Sequence, residues 1–154
     1  MAIEVRPGVL GDLEWLSDQY DAYSKFYTGR LPLFSDPSYR CSKVTEYIEK
    51  HLVLVAQRGI CRLGFMIGLV ASHPFNAEIR VLVSILWWVM PEHRRTRAGA
   101  TLLWDFISWG RENCDAIVMG IQHNTPVREA SLLRRGFRLQ ERSYMMEVGK
   151  WAIR

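Results

Sequence analysis

Residues 79–90 are the part of this sequence that most constrains its fold, because apolar side chains occupy both sets of alternate positions. One set holds Val81, Val83, Ile85, Trp87 and Val89, and the other holds Leu82, Leu86 and Trp88. A strand that is apolar on both faces lies inside a sheet that is covered on both sides. The near-apolar run 81–90 is also only about half the length that a membrane-spanning helix needs. We therefore expect a buried central strand and no membrane span.

Periodicity elsewhere predicts helices and strands in the order β-α-α-β-β-β-α-β-α-β, with a further strand optional at the end. The predicted strands cover residues 3–6, 52–56, 61–71, 79–90, 116–121 and 137–148. Four helices are predicted. The first has its apolar pattern from Leu13 onward, and the second has Ser42 as its N-cap. The third covers residues 98–113, and the fourth lies between Thr125 as N-cap and Gly136 at its end. Residues 1–154 are thus expected to form one domain, a three-layer α/β sandwich.

The composition is that of a soluble globular protein, with 49% hydrophobic and 23% charged residues. The start of the chain has no basic stretch followed by an apolar one, so we expect no secretory signal and a cytoplasmic location. Cys41, Cys61 and Cys114 lie far apart and form no CxxC pair, and the four histidines are equally scattered. The sequence therefore predicts neither a disulfide framework nor a metal site.

The chain is basic, with a net charge of +4 and a pI of about 9.1. This balance favours a polyanionic partner, which could be nucleic acid, a membrane surface or a phosphate-bearing cofactor. A basic surface without a particular partner explains the same charge, so the location of the arginines decides between these readings.

The most informative segment is 87–100, where the central strand ends and a short loop leads into a helix. Arg94, Arg95 and Arg97 lie in that loop, and the helix opens with small residues. First-turn amides have no intrahelical acceptor, and the helix dipole adds partial positive charge there. Small residues let a phosphate approach this backbone, and arginines add charge-assisted hydrogen bonds. The segment suits binding of a pyrophosphate, although a solvated basic loop without a ligand explains the same residues.

This segment resembles the acyl-CoA-binding motif of the GCN5-related N-acetyltransferase (GNAT) superfamily, V-x-P-x-x-R-(x)-x-G-x-G/A. The matching residues are Val89, Pro91, Arg94, Gly99 and Ala100, whereas Arg97 stands where the first glycine usually does. The run 64–68 is similar to the family's third-strand pattern. Downstream, the resemblance continues in Asn124, Thr125, Pro126, Gly136 and Phe137. It implies a mixed central sheet of about six to seven strands flanked by about four helices, with the fourth and fifth strands splayed apart.

The resemblance also implies how acetyl-CoA would be held. The backbone of Trp87, Trp88 and Val89 would pair with the pantetheine arm, and one of these amides would polarise the thioester carbonyl. Asn124 would bond to the same arm. For the two tryptophan side chains we favour core packing. The pyrophosphate would be held by the amides of Arg94, Arg95, Thr96, Arg97, Ala98, Gly99 and Ala100.

The proton-transfer groups are less clearly marked in the sequence. The family often uses a tyrosine four residues before the glycine of its "GF" pair as the acid, and that position is Leu132 here. The next candidates are Ser131 and Tyr144. We expect Tyr144, on the predicted last strand, to protonate the leaving thiolate, although an edge-strand aromatic packed on the core explains this residue equally well. For the base, Glu78 and His123 are candidates, acting directly or through water, and histidine has the more suitable pKa. Direct attack promoted mainly by positioning is the alternative.

The function that the resemblance implies is acetyl-CoA-dependent N-acetyl transfer to a primary amine, without a metal. Two alternatives stay open: an acceptor amine on a nucleic acid or modified nucleotide, and a non-catalytic acyl-CoA-binding regulatory domain. A cluster of arginines near the last helix motivates the first, although a solvated face is the default explanation. The cluster comprises Arg134, Arg135, Arg138 and Arg142. Residues 20–42 would build the acceptor pocket, and their aromatic side chains suit an apolar or flat group or a cation over a ring, although packing of the first helix explains the same residues. A homodimer is also left open.

Overall fold

The elements follow the predicted order as far as the fourth helix in this computed structural model, which describes residues 1–26, 36–122 and 125–151. The strands are β1 (Glu4–Pro7), β2 (Leu52–Arg58), β3 (Cys61–His73), β4 (Asn76–Val89) and β5 (Ala116–Val118). The helices are α1 (Leu13–Ser24), α2 (Pro37–Lys50), α3 (Ala98–Asn113) and α4 (Glu129–Leu133). Among the described residues, no helix is long and apolar enough to cross a bilayer.

The strands form one sheet in the order β1-β2-β3-β4-β5. Neighbours are antiparallel from β1 to β4, and β5 runs parallel to β4. Helices cover both faces: α1 and α2 pack on one face around Leu16, Val44 and Phe65, while α3 packs on the other through Leu102 and Phe106. The mixed sheet and the three-layer α/β sandwich are therefore as predicted.

A β-bulge in β4 separates two halves of the central strand. Gly68 pairs with Ser84 and Ile67 pairs with Leu86, so Ile85 is an extra residue opposite β3. An extra residue reverses the alternation of faces and bends the strand. Leu82 accordingly lies in the core beneath α3, whereas Leu86 lies in the core beneath α1 and α2. The simple alternation predicted for residues 79–90 is correct within each half but wrong across the bulge.

The strands predicted over residues 137–148 do not form, so the described sheet has five strands instead of six or seven. β5 is only three residues long and offers few backbone groups to a further strand. Phe137 at the start of the segment 137–148 packs against the core cluster of Leu103, Ile107 and Leu132, but Leu139, Tyr144 and Met146 further along are all exposed. Tyr144 therefore lies on a segment without regular secondary structure and not on a strand.

Two predicted helix starts are also wrong. α2 begins before Ser42, because Asp36 is its N-cap and accepts a hydrogen bond from the Tyr39 amide at 3.1 Å, with Pro37 at the first helical position. α4 begins four residues after Thr125, with Arg128 as N-cap. Its end is as expected, since Gly136 adopts the positive φ of 90° that ends helices.

Candidate functional site

An opening between β4 and β5 is the main feature of the sheet's edge. The two strands pair only at Val81–Ala116, Leu82–Ile117 and Val83–Val118. Beyond this level the Gly120 amide donates to Ser84 Oγ at 3.1 Å, and β4 then continues to Val89 without a partner strand on that side in the described part of the chain. The predicted splay between the fourth and fifth strands is therefore present, just above the bulge.

A cavity of about 670 Å³ fills this opening. Its walls are residues 84–89 of β4, the first turn of α3, the segments 120–122 and 125–128, α4, and two rings from the α1 side. Among the described residues that line it, four are arginines and none is a carboxylate. These arginines are Arg94, Arg128, Arg134 and Arg135. The cavity is therefore strongly electropositive, which favours an anionic ligand.

The first turn of α3 forms one end of the cavity. The Thr96 hydroxyl donates to the His93 carbonyl at 2.7 Å and accepts from the Ala98 amide at 3.2 Å, which fixes the loop ahead of the helix. The amides of Gly99 and Ala100 follow in the first turn, where no intrahelical acceptor exists, and both residues line the cavity. A phosphate can thus reach these two amides.

Arg97 occupies the usual glycine position without backbone strain. Its φ of −81° and ψ of 2° are ordinary for any residue, and no non-glycine residue in the described ranges has a positive φ. The loop of this chain therefore does not need a glycine at position 97. Arg97 is exposed and, with Arg95 and the buried Ala98, does not line the cavity.

The two tryptophans of β4 face opposite layers. Trp88 is buried beneath α1, where its indole N–H donates to Gln19 Oε1 at 3.0 Å, and Trp87 packs toward α3. Both also line the cavity, as does Val89. Side-chain packing is thus their visible role, as predicted, and their backbone lies along the opening.

Arg94 reaches across the end of β4 to the α1 side. Its guanidinium carbon lies 4.6 Å from the centre of the Phe26 ring and 4.8 Å from that of Trp88. Its Nε donates to the Val89 carbonyl at 3.2 Å. The Arg94 amide itself is directed to the Pro91 carbonyl at 3.4 Å, so it is partly engaged within the loop.

On α4, Ser131 faces the cavity and Leu132 does not. Arg135 Nη1 donates to Ser131 Oγ at 2.6 Å and to the Ser131 carbonyl at 2.7 Å. The serine hydrogen is therefore directed elsewhere, because its oxygen already accepts from a cation. Leu132 is 6% exposed and packs against Leu103 and Ile107 of α3.

Two other predicted proton-transfer residues, Tyr144 and Glu78, do not line the cavity. Tyr144 is 90% exposed and is not a lining residue. Glu78 is exposed near the β3–β4 turn, at the end of β4 remote from the opening. His123 and Asn124 lie outside the described residues. Within the described ranges, no group of three His, Cys, Asp or Glu side chains could hold a metal ion.

Sequence reasoning did not predict that four polar residues line this cavity, although it named one of them, Arg135, in the arginine cluster. Ser84 had a visible signal, since it interrupts the apolar run, and Arg135 lies one helical turn from Ser131. Arg128 and Gln122 gave no signal, because their place at the wall depends on where the chain turns after β5.

Comparison with solved structures finds the same fold in many proteins. A ribosomal-protein-alanine N-acetyltransferase from Brucella melitensis biovar Abortus gives a TM-score of 0.73 at 16% identity, covering 96% of this chain and 100% of that one. A GNAT family acetyltransferase from Staphylococcus aureus gives 0.68 at 15% identity, covering 96% and 100%. A "predicted acetyltransferase" from Clostridium acetobutylicum, solved with acetyl-CoA, gives 0.72 at 10% identity, covering 95% and 96%. No family model matches the chain. No curated protein matches its sequence.

Proposed function

We propose that this chain, which has the fold of the GNAT acetyltransferases, is an acetyl-CoA-dependent N-acetyltransferase. The observation that carries the proposal is the backbone edge of β4 along residues 84–89, which has no partner strand among the described residues and lines the same cavity as the first turn of α3. An extended amide-bearing arm can pair with such an edge as an extra strand would, while its phosphates meet the helix amides. The acetyl-CoA complex of the neighbour from Clostridium acetobutylicum supports this choice of ligand.

The residues present fit acetyl-CoA. The amides of Gly99 and Ala100 can bind the pyrophosphate, and Arg128 and Arg134 bring positive charge to the same cavity. A Cβ on Gly99 would lie 3.5 Å from Val89 Cγ2, so the wall here is close but not blocked. A backbone amide of residues 87–89 would polarise the thioester carbonyl.

Acetyl transfer then requires a balanced pair of proton transfers. The amine nitrogen attacks the carbonyl carbon and forms the C–N bond, the C–S bond breaks, and the sulfur leaves with the electron pair and takes up a proton. The nitrogen gives up one proton. We assign the donor to Ser131, because Arg135 holds its oxygen and stabilises the alkoxide that remains.

Deprotonation of the amine has no candidate among the described lining residues, since none of them is a carboxylate or histidine. His123 stays a prediction for this role. Otherwise the amine binds as the neutral base, or water accepts its proton, and positioning supplies most of the rate.

Acetyl-CoA binding to a Gly99→Glu variant tests the proposal. A carboxylate against the pyrophosphate should lower the affinity by about 100-fold or more, since like charges in contact cost several kcal/mol. Gly99→Ala controls for the fold, because its Cβ makes only ordinary contacts. Ala77→Glu, exposed near the β3–β4 turn, carries the same charge change away from the cavity. If calorimetry shows that Gly99→Glu and Ala77→Glu bind acetyl-CoA with the same affinity, the proposed binding mode is contradicted.

A non-catalytic acyl-CoA-binding domain is the second candidate, favoured by the burial of Leu132 at the usual acid position. Thiol release from acetyl-CoA, followed with a panel of amines, separates the two. Amine-dependent release together with an acetylated product by mass spectrometry supports the enzyme. Tight binding without release supports the binding domain.

A further inference from the structure

The group at the α1 side of the cavity differs from the rest of its wall. Here the Phe26 and Trp88 ring centres lie 5.0 Å apart with their planes at 60°, and the Arg94 guanidinium lies against both rings. Tyr23 meets Trp88 edge-on at 5.7 Å. These four side chains, which we name the arginine–aromatic cluster, all line the cavity.

The cluster holds Arg94 in a fixed position. Trp88 is 4% exposed and anchored through Gln19, so its ring is a rigid platform. Two ring contacts and the bond from Nε to the Val89 carbonyl then orient the guanidinium. Its two terminal nitrogens have no hydrogen-bond partner among the described residues, and Arg94, an exposed residue, lines the cavity. A guanidinium with both terminal nitrogens available matches the two oxygens of a carboxylate.

The same cluster disfavours cationic acceptors. An ammonium ion binds well over an aromatic face, but Arg94 already lies against Phe26 and Trp88. With four arginines and no carboxylate among the described lining residues, a polyamine or lysine-rich peptide would meet repulsion without a counter-charge.

We propose that the acceptor is a small amine that carries its own carboxylate, and that Arg94 binds this carboxylate. The inference rests on the proposed function and names its substrate class. Arg94 is well separated in role from the α3 amides, because its side chain turns toward the α1 layer and packs on Phe26 and Trp88. It is thus a specificity residue for the acceptor.

Matched substrates test this assignment. With saturating acetyl-CoA, kcat/KM is measured for amino acids, for the corresponding amino acid amides, for an aminoalkylphosphonate and for spermidine. The wild type should favour each amino acid over its amide by about 10- to 100-fold, the range for hydrogen bonds between charged groups. Spermidine should be the poorest acceptor. Better turnover of the phosphonate than of the carboxylates would show that the anion is a phosphate group, and would overturn the carboxylate assignment.

Variants of Arg94 complete the test. With saturating acetyl-CoA, Arg94→Gln should abolish the preference for carboxylate over amide, and Arg94→Lys should keep part of that preference through the charge alone. Arg58→Gln, at the exposed β2–β3 turn, is the control for charge. Thermal unfolding checks that each variant is folded.

The outcomes distinguish the two proposals. If amides or spermidine are acetylated with the same kcat/KM as the amino acids, or if Arg94→Gln keeps the preference for carboxylates, the inference is wrong and the acetyltransferase proposal stands. If no amine of any class is acetylated although acetyl-CoA binds, both are wrong.

Discussion

Asp12 offers the most direct test of how the framework around the site is held together. Its carboxylate is 1% exposed and accepts from Arg6 Nη1 at 2.7 Å, Arg6 Nη2 at 2.9 Å, Arg62 Nε at 2.9 Å and the Val9 amide at 3.0 Å. These bonds tie the start of α1 to β1 and β3. The cavity rings from the α1 side therefore depend on this anchor for their position.

The hydrogen bonds from Arg6 are the largest cause that lowers the pKa of Asp12, from 3.8 to about 2. A carboxyl group whose pKa falls by that amount on folding adds about 2 kcal/mol to the free energy of unfolding at neutral pH. Because the folded pKa is the lower one, this contribution is complete above about pH 4 and is lost as the pH falls through 2. Asp12→Asn should remove about 2 kcal/mol at pH 7, and the exposed thirds of Arg6 and Arg62 limit any further loss.

Urea unfolding of wild type and Asp12→Asn between pH 7 and pH 2 measures this. The difference in unfolding free energy should be constant down to about pH 4 and then shrink as Asp12 of the wild type takes up its proton. Asp18→Asn, on the exposed face of α1, is the matched control and should differ little from wild type. A difference that stays constant down to pH 2 would refute the electrostatic account, and Asp12 would then act only through packing.

The remaining predictions concern the proton donor. Ser131→Ala should lower kcat by about 100-fold or more with acetyl-CoA affinity unchanged, since loss of a general acid typically costs a factor of about 10²–10⁴; a kcat near that of wild type would make water the donor. Tyr144→Phe should keep a kcat close to wild type, because the ring is exposed and not at the cavity wall. A large fall in kcat for Tyr144→Phe would instead show that residues 137–148 close over the site during catalysis.

The parts of the fold that local pattern determines were predictable. α3 begins and ends where its periodicity and its small first residues place it, and the loop before it was identified from composition alone. The bulge at Ile85 could not be predicted, because an extra residue leaves the sequence pattern of an apolar strand unchanged. The missing strands over 137–148 have a similar cause: their alternation favours strands, but β5 is too short to pair with them.

The candidate site divides in the same way. The sequence could predict an anion site at the loop and first turn of α3, because the arginines and the small residues lie next to one another along the chain. The sequence could not predict the arginine–aromatic cluster, since the Arg94 side chain could equally have pointed toward the α3 amides. Its actual direction depends on Phe26 and Trp88, which lie distant in sequence and meet only after α1 packs on the sheet.

The opening itself is a property of backbone spacing. Below the bulge α3 lies close to the sheet: a Cβ on Gly110 would fall 2.6 Å from Ile117 Cδ1, and one on Gly68 would fall 2.6 Å from Phe106 Cε2. At the other end of α3, a Cβ on Gly99 would meet only ordinary contacts. The helix is therefore packed tightly where β4 and β5 pair and more loosely where they part. Tight packing and strand pairing end at the same level of the sheet. The cavity therefore forms without a glycine at position 97, which is Arg97, or a tyrosine at position 132, which is Leu132.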